Sequence, residues 1–231
     1  MMSTGGNGAA SEDEQCSTPT ISCIANGMLQ ANCYLLICPE TGEALLIDPG
    51  AEPERILEHI RSAGCRIVRI LHTHGHFDHI SATEAILSGL DAPVPVAAHP
   101  ADLYLYRREA RARGLQYGYE LPETLVVPQE HLEDGSEVRC GKLRVEVIHT
   151  PGHTPGSISL ICGTTCVFTG DTLFHHGIGR TDLAGGDEDA IYHSILTRLY
   201  PLAESLEVFS GHGPGTTIGE ERHANPFVQA S

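Results

Sequence analysis

Within six positions the chain sets three histidines and an aspartate: His74-Gly75-His76-Phe77-Asp78-His79. Side-chain packing gives no reason for so many polar, titratable groups at one spot. Neutral imidazole and ionised carboxylate are the natural ligands of zinc, iron and related ions. The run follows Ile67-Val68-Arg69-Ile70-Leu71, an apolar stretch that reads as a buried strand. The cluster therefore starts where a strand becomes a loop, the place where α/β proteins assemble their sites.

Around that strand the pattern is β-rich, with helices between. Ile21 to Ile24, Cys33 to Ile37 and Ala44 to Ile47 read as short strands, and Asp48-Pro49-Gly50 ends the third. Pro53 to Ala63 is a helix by its apolar spacing, stopped at Gly64. A short helix over Ala82 to Leu87 and a strand over Val94 to Ala98 follow, then an amphipathic helix over Ala101 to Arg113. A second set of strands covers Val138 to Arg139, Leu143 to Ile148, Ser157 to Ile161 and Cys166 to Phe168. A helix over Asp189 to Leu199 and a strand over Leu206 to Phe209 complete the pattern. Neither β-rich half can bury its own sheet. Two sheets packed face to face with helices outside satisfy both, which makes residues 20–231 one α/β domain. Residues 1–19, rich in Gly, Ser and acids up to Gln15, read as a disordered tail.

The charge balance excludes several partners. Thirty acids against 14 bases leave a net charge of −16, which disfavours nucleic acid and anionic membranes as partners. No apolar run approaches the roughly 20 residues of a membrane-spanning helix. The eight cysteines form neither a CxxC pair nor a compact framework, which fits reduced thiols in a cytoplasmic protein. Cys162 and Cys166 flank Gly163-Thr164-Thr165 as if across a hairpin turn.

Three more strand-to-loop junctions carry ligand chemistry. They are Thr150-Pro151-Gly152-His153-Thr154-Pro155-Gly156, Gly170-Asp171-Thr172 and Gly211-His212-Gly213. Each sets one His or Asp beside glycines, which let backbone turn sharply in a crowded shell.

With Asp48-Pro49-Gly50 and the 74-to-79 cluster, these elements resemble, in order, the metallo-β-lactamase superfamily. Gly170-Asp171-Thr172-Leu173-Phe174, Gly177-Ile178-Gly179-Arg180-Thr181-Asp182 and the ending through Asn225-Pro226-Phe227 are similar to its glyoxalase II (hydroxyacylglutathione hydrolase) branch. Only 19 residues follow His212, so the chain resembles the short form that lacks the C-terminal helical domain.

The resemblance implies an αββα four-layer sandwich with the site along one edge of the β layers. It implies two divalent ions, with zinc the first expectation and iron or manganese the alternatives. His74, His76 and His153 would hold the first ion, Asp78, His79 and His212 the second, and Asp171 would bridge them. The implied activity is hydrolysis of a thioester such as S-D-lactoylglutathione by a hydroxide shared between the ions, with Asp78 and Asp171 as catalytic carboxylates. A mononuclear iron persulfide dioxygenase of the same fold is the alternative. A nucleic-acid-processing member of the superfamily is a third reading, which the net charge opposes.

Outside the ligand set, Asp48 reads as a residue that supports a ligand, not one itself. Arg180 and Asp182 read as a buried ion pair that steadies the loop after Asp171. His72, His149, His175 and His176 read as supporting or packing residues. In the Tyr- and Arg-rich stretch from 104 to 119, Arg107, Arg111, Tyr117 and Tyr119 are candidate contacts to an anionic substrate. The expected partner is a small-molecule thioester, and the expected assembly a monomer or homodimer.

Overall fold

The computed structural model describes residues 18–107, 114–119 and 125–229. Most of the expected tail lies outside these residues, as does Arg111. Two six-stranded sheets form the centre. The first has the order β1 (Thr20–Asn26), β2 (Ala31–Ile37), β3 (Glu43–Ile47), β4 (Arg66–Leu71), β5 (Val96–Ala98) and β6 (Glu130–His131). The second has the order β14 (Thr216–Thr217), β13 (Glu207–Ser210), β10 (Cys166–Gly170), β9 (Ile158–Cys162), β8 (Leu143–His149) and β7 (Glu137–Cys140). A two-stranded ribbon, β11 (Leu173–Phe174) with β12 (Gly177–Ile178), stands apart.

Three apolar clusters show how these layers are held. Tyr34, Leu36, Leu45 and Ile47 of the first sheet meet Val145, Leu160 and Phe168 of the second, and this inner core lies between the sheets. Leu35, Ala44, Leu46 and Ile70 alternate with that set and face the other way. They pack on Ile56 and Ile60 of α1 (Pro53–Ala63) and Ile86 of α3 (Thr83–Gly89). On the far side, Val167 and Val208 pack on Ile191 of α4 (Glu188–Ser194) and Ile218 of α5 (Ile218–Ala224). The result is the expected helix–sheet–sheet–helix order.

The expected elements form, with corrections at their ends. Pro95 has no N–H to give a ladder, so β5 starts at Val96 and not at Val94. Of the helix expected over Ala101 to Arg113, the described part is a 3₁₀ segment, Pro100–Tyr106, with Arg107 extended beyond it, and residues 108–113 lie outside the described residues. Pro100 starts that segment, and the His99 side chain caps it by accepting from Ala101 N. The expected Asp189-to-Leu199 helix changes after Ser194 into a wider π turn, Ile195–Leu199. A one-turn helix, α2 (Phe77–Ile80), sits inside the histidine cluster and was not anticipated. Cys162 and Cys166 are cross-strand partners with free thiols.

Strand direction decides where the site sits. β3, β4 and β5 are mutually parallel, and β10 is parallel to β13 and antiparallel to β9, which is antiparallel to β8. So β3, β4, β8, β10 and β13 each release a ligand-rich loop from a carboxyl end. These ends gather on one edge of the sandwich.

Candidate metal centre

Asp48, His74–His79, His153, Asp171 and His212 converge there, all of them buried except the partly exposed His212. His74, His76 and His153 form one group with ligand atoms within 4.8 Å of one another. Asp78, His79 and His212 form a second such group. Nδ1 of His76 is 2.8 Å from Nε2 of His153, and Nε2 of His79 is 3.3 Å from Nε2 of His212. Asp171 stands between the groups. Its Oδ2 lies 3.5 Å from His153 Nε2 and 3.6 Å from His212 Nε2, and its Oδ1 lies 3.4 Å from His79 Nε2. Asp78 Oδ2 is 3.5 Å from His212 Nε2.

The outer nitrogens are fixed by protein oxygens. Nδ1 of His79 is 3.0 Å from Asp48 Oδ2, Nδ1 of His153 is 2.7 Å from the Arg180 carbonyl, and Nδ1 of His212 is 3.0 Å from the Leu29 carbonyl. These oxygens can only accept, so each Nδ1 carries a proton and Nε2 is the atom left to face an ion. His74 follows the same rule. Thr73 Oγ1 donates its proton to Asp48 Oδ2, so it accepts from His74 Nδ1 at 3.1 Å. His74 Nε2 is then a buried nitrogen with no hydrogen-bond partner, which suits a metal ligand and little else.

Burial and the facing charges set the protonation of these groups. Burial and the surrounding imidazoles push His74 well below its ordinary pKa and keep it neutral. Burial opposes charge on Asp78 as well, but His79 and His212 outweigh it and hold the carboxyl well below the usual range. Burial opposes charge on His79 too, yet Asp171, Asp78 and Asp48 raise it to about 10, so its Nε2 proton is one that a cation binding there would displace. Three carboxylates facing inward make a locally anionic pocket that favours cations.

Two glycines allow this crowding. A Cβ at Gly211 would lie 2.0 Å from Asp171 Oδ1, and one at Gly50 would lie 1.6 Å from the Asp78 carbonyl. Asp48 itself sits at φ 52°, a left-handed conformation that is rare outside glycine. In this position its carboxylate takes Thr73 N at 2.7 Å, Thr73 Oγ1 and His79 together.

One residue of the site escaped the sequence reading. Asp102, fully buried in the 3₁₀ segment, accepts from Gly75 N at 2.8 Å, Thr154 Oγ1 at 2.7 Å and Gly156 N at 2.7 Å. It clamps the His74 loop to the His153 loop. Its only signal was an acid placed just beyond a strand end.

The remaining candidates fall in different places. Arg180 and Asp182 do pair, through two contacts of 2.7 Å, but their side chains are 57% and 68% exposed. The expected buried pair is therefore a surface pair of little energetic weight. Arg180 serves the site through its backbone carbonyl instead. Tyr117 stacks on Phe77 at 5.8 Å and is exposed, as is Arg107. Tyr119 is buried against Phe77, and its hydroxyl accepts from Leu29 N at 3.3 Å, so it supports the wall instead of reaching into solvent. His72 bonds Tyr106 and Thr83, and His149 bonds the Pro155 carbonyl, both outside the ligand groups. His175 and His176 stand at the tip of the β11–β12 ribbon.

Comparison with known proteins agrees with this geometry. The Bacillus subtilis protein "Probable metallo-hydrolase YqgX" is 38% identical over 204 residues, covering 87% of this chain and 94% of that protein. The Haemophilus influenzae "Hydroxyacylglutathione hydrolase GloC" is 34% identical over 202 residues, covering 87% and 94%. The solved structure of TTHA1623 "in a di-iron-bound form" superposes with a TM-score of 0.79 at 40% identity, covering 90% of this chain and 100% of that one. The family profile of the metallo-beta-lactamase superfamily matches residues 26–212, a span that begins before Asp48 and closes on His212. With two sheets, a shared loop edge and a His/Asp centre in place, the chain belongs to the metallo-beta-lactamase superfamily and is a metal-dependent hydrolase of that fold.

Proposed function

We propose that the chain is a binuclear metal-dependent thioesterase that hydrolyses S-D-lactoylglutathione or a similar acyl-thiol. The observation that carries this reading is the position of Asp171, which faces His153 of one ligand group and His79 and His212 of the other. His74, His76 and His153 are the ligands of one ion, Asp78, His79 and His212 those of the second, and Asp171 is shared. Divalent ions held there would supply Lewis acidity and a water ionised near neutral pH. The donor set of imidazoles and carboxylates suits zinc, with iron and manganese as alternatives.

The side chains account for the rest. Asp171 and Asp78 are buried carboxylates at the centre, with Asp171 placed to accept a proton from the attacking water. The thiol product, with a pKa of about 8.5, leaves as thiolate, so no general acid is needed. That matches a centre whose inward groups are imidazole nitrogens and carboxylates. A substrate carboxylate would meet the exposed Arg107, with Tyr117, stacked on Phe77, as a further contact. With a net charge of −16, the chain has a small molecule and not a nucleic acid as its partner, and a cytoplasmic setting suits its free thiols. Among the described residues, no helix is long and apolar enough to cross a membrane.

The test combines elemental analysis with a thioester panel. The expected result is about two equivalents of metal per chain, and thioesterase activity that chelation removes and zinc or iron restores. A chain that binds no metal, or an Asp171→Ala variant as fast as wild type, overturns the reading. Oxygen uptake on glutathione persulfide, with one iron per chain, would instead identify the dioxygenase.

A further inference from the structure

A second group of ligands lies outside this centre and shares no residue with it. β11 and β12 pair Leu173 with Ile178 and Phe174 with Gly177, so His175 and His176 form a two-residue hairpin tip. Their rings stack 4.1 Å apart. His176 holds φ 53°, and its N–H donates to Glu221 Oε2 at 2.9 Å. Its Nε2 lies 3.0 Å from Glu220 Oε1. The ribbon thus lays two exposed imidazoles on the first turns of α5.

Glu221 is the unusual member, because it is fully buried. Its side-chain hydrogen-bond donors are the Thr216 hydroxyl at 2.7 Å, the Asn225 amide at 2.8 Å and the His176 N–H. All three are uncharged, so the carboxylate's negative charge is left for a cation. Oε1 takes only the Thr216 bond of these and keeps capacity for another. Ligand atoms of His175, His176 and Glu221 lie within 4.8 Å of one another. A tetrahedral zinc shell spaces its ligands about 3.4 Å apart. Both imidazoles are exposed and so have room to turn toward that spacing.

We propose that His175, His176 and Glu221 form a separate surface site for a divalent transition metal of the zinc class, with Glu220 as its available fourth ligand. Two imidazoles and a carboxylate select ions that accept nitrogen, such as zinc, nickel or copper, over magnesium or calcium. Metal at this site ties the ribbon tip to α5. Phe174 of the same ribbon sets its ring edge against His212, with centroids 6.2 Å apart, so the tip borders the main centre without entering it.

The test titrates zinc into holoprotein whose main centre is already filled, against a chromophoric chelator of micromolar affinity. Wild type is compared with a His175→Asn/His176→Asn double variant. Asparagine tolerates the left-handed conformation at 176 and leaves the buried Glu221 in place. The expected result is one further zinc equivalent in wild type, lost or weakened at least tenfold in the double variant, with main-centre metal content unchanged. A zinc-edge anomalous map of wild-type crystals grown with excess zinc then shows a peak between the imidazoles and Glu221. Equal zinc uptake by both proteins, or anomalous peaks confined to the main centre, overturns the site.

Discussion

Nδ1 of His79 lies 3.0 Å from Oδ2 of Asp48, and both side chains are buried. The carboxylate can only accept, so it takes the Nδ1 proton of His79 and turns Nε2 toward His212 and Asp171. Asp48 also holds Thr73, whose hydroxyl fixes His74. One aspartate therefore orients imidazoles in both ligand groups.

Asp48→Asn separates that role from backbone strain, because asparagine also accepts a left-handed conformation. Partners of this kind are worth 10–100-fold in metal affinity. The variant should fold and should lose metal affinity by about that factor. Competition with a chelator measures it, and unchanged affinity would show that Asp48 only closes a turn.

Asp171 contacts both groups, so its loss should reach both. Asp171→Asn keeps the shape and removes a charge that faces three imidazoles. Metal content should fall below two equivalents, and thioester turnover should drop by at least about 100-fold. Wild-type turnover with full metal content would remove Asp171 from the reaction.

Asp102 is predicted to matter for stability first. Asp102→Ala leaves Gly75 N, Gly156 N and Thr154 Oγ1 without their acceptor. At about 1–3 kcal/mol for each stranded group, a net loss of about 3 kcal/mol is expected after relaxation. In a chain of this size that lowers Tm by about 6–12 °C, which calorimetry on metal-loaded protein reads directly. A Tm within a degree or two of wild type would show that water replaces the carboxylate.

His99 gives a pH dependence with a definite sign. Burial, with His149 stacked 4.2 Å away, lowers its pKa to about 4 from an ordinary 6.5. Between pH 6.5 and 4 the unfolded chain binds this proton and the folded chain does not, so stability falls as pH falls through that window. Protonation also removes the Nδ1 lone pair that caps the Pro100–Tyr106 segment at Ala101 N. Urea midpoints at pH 7 and pH 5 should differ less for His99→Asn than for wild type. Equal pH slopes would clear His99 of this role.

The ligand cluster and the layer order were legible because both are local patterns. His74 to His79 announces a metal through residue type and spacing alone. Alternation such as Leu35 against Leu36 separates an outer face from an inner one. His153, Asp171 and His212 were legible as strand-end residues beside glycine, and the family resemblance gave His153 to one ion, His212 to the other and Asp171 to both, with Asp48 in support.

Tertiary structure decided what local pattern cannot carry. Asp102 looks like one more surface acid of an amphipathic helix. It becomes a clamp only because β5 delivers it between two loops that lie 27 and 54 residues away in sequence. Arg180 and Asp182 were expected to be buried, but a two-residue spacing on a loop lets both side chains swing into water while the Arg180 carbonyl fixes His153. The tip His175-His176 and Glu221 are 45 residues apart between His176 and Glu221, and only the packing of a ribbon on a helix joins them. The sequence determined which chemistry the chain carries, because ligand type is a property of residues. The fold decided which residues serve it, because orientation and burial are properties of long-range contact.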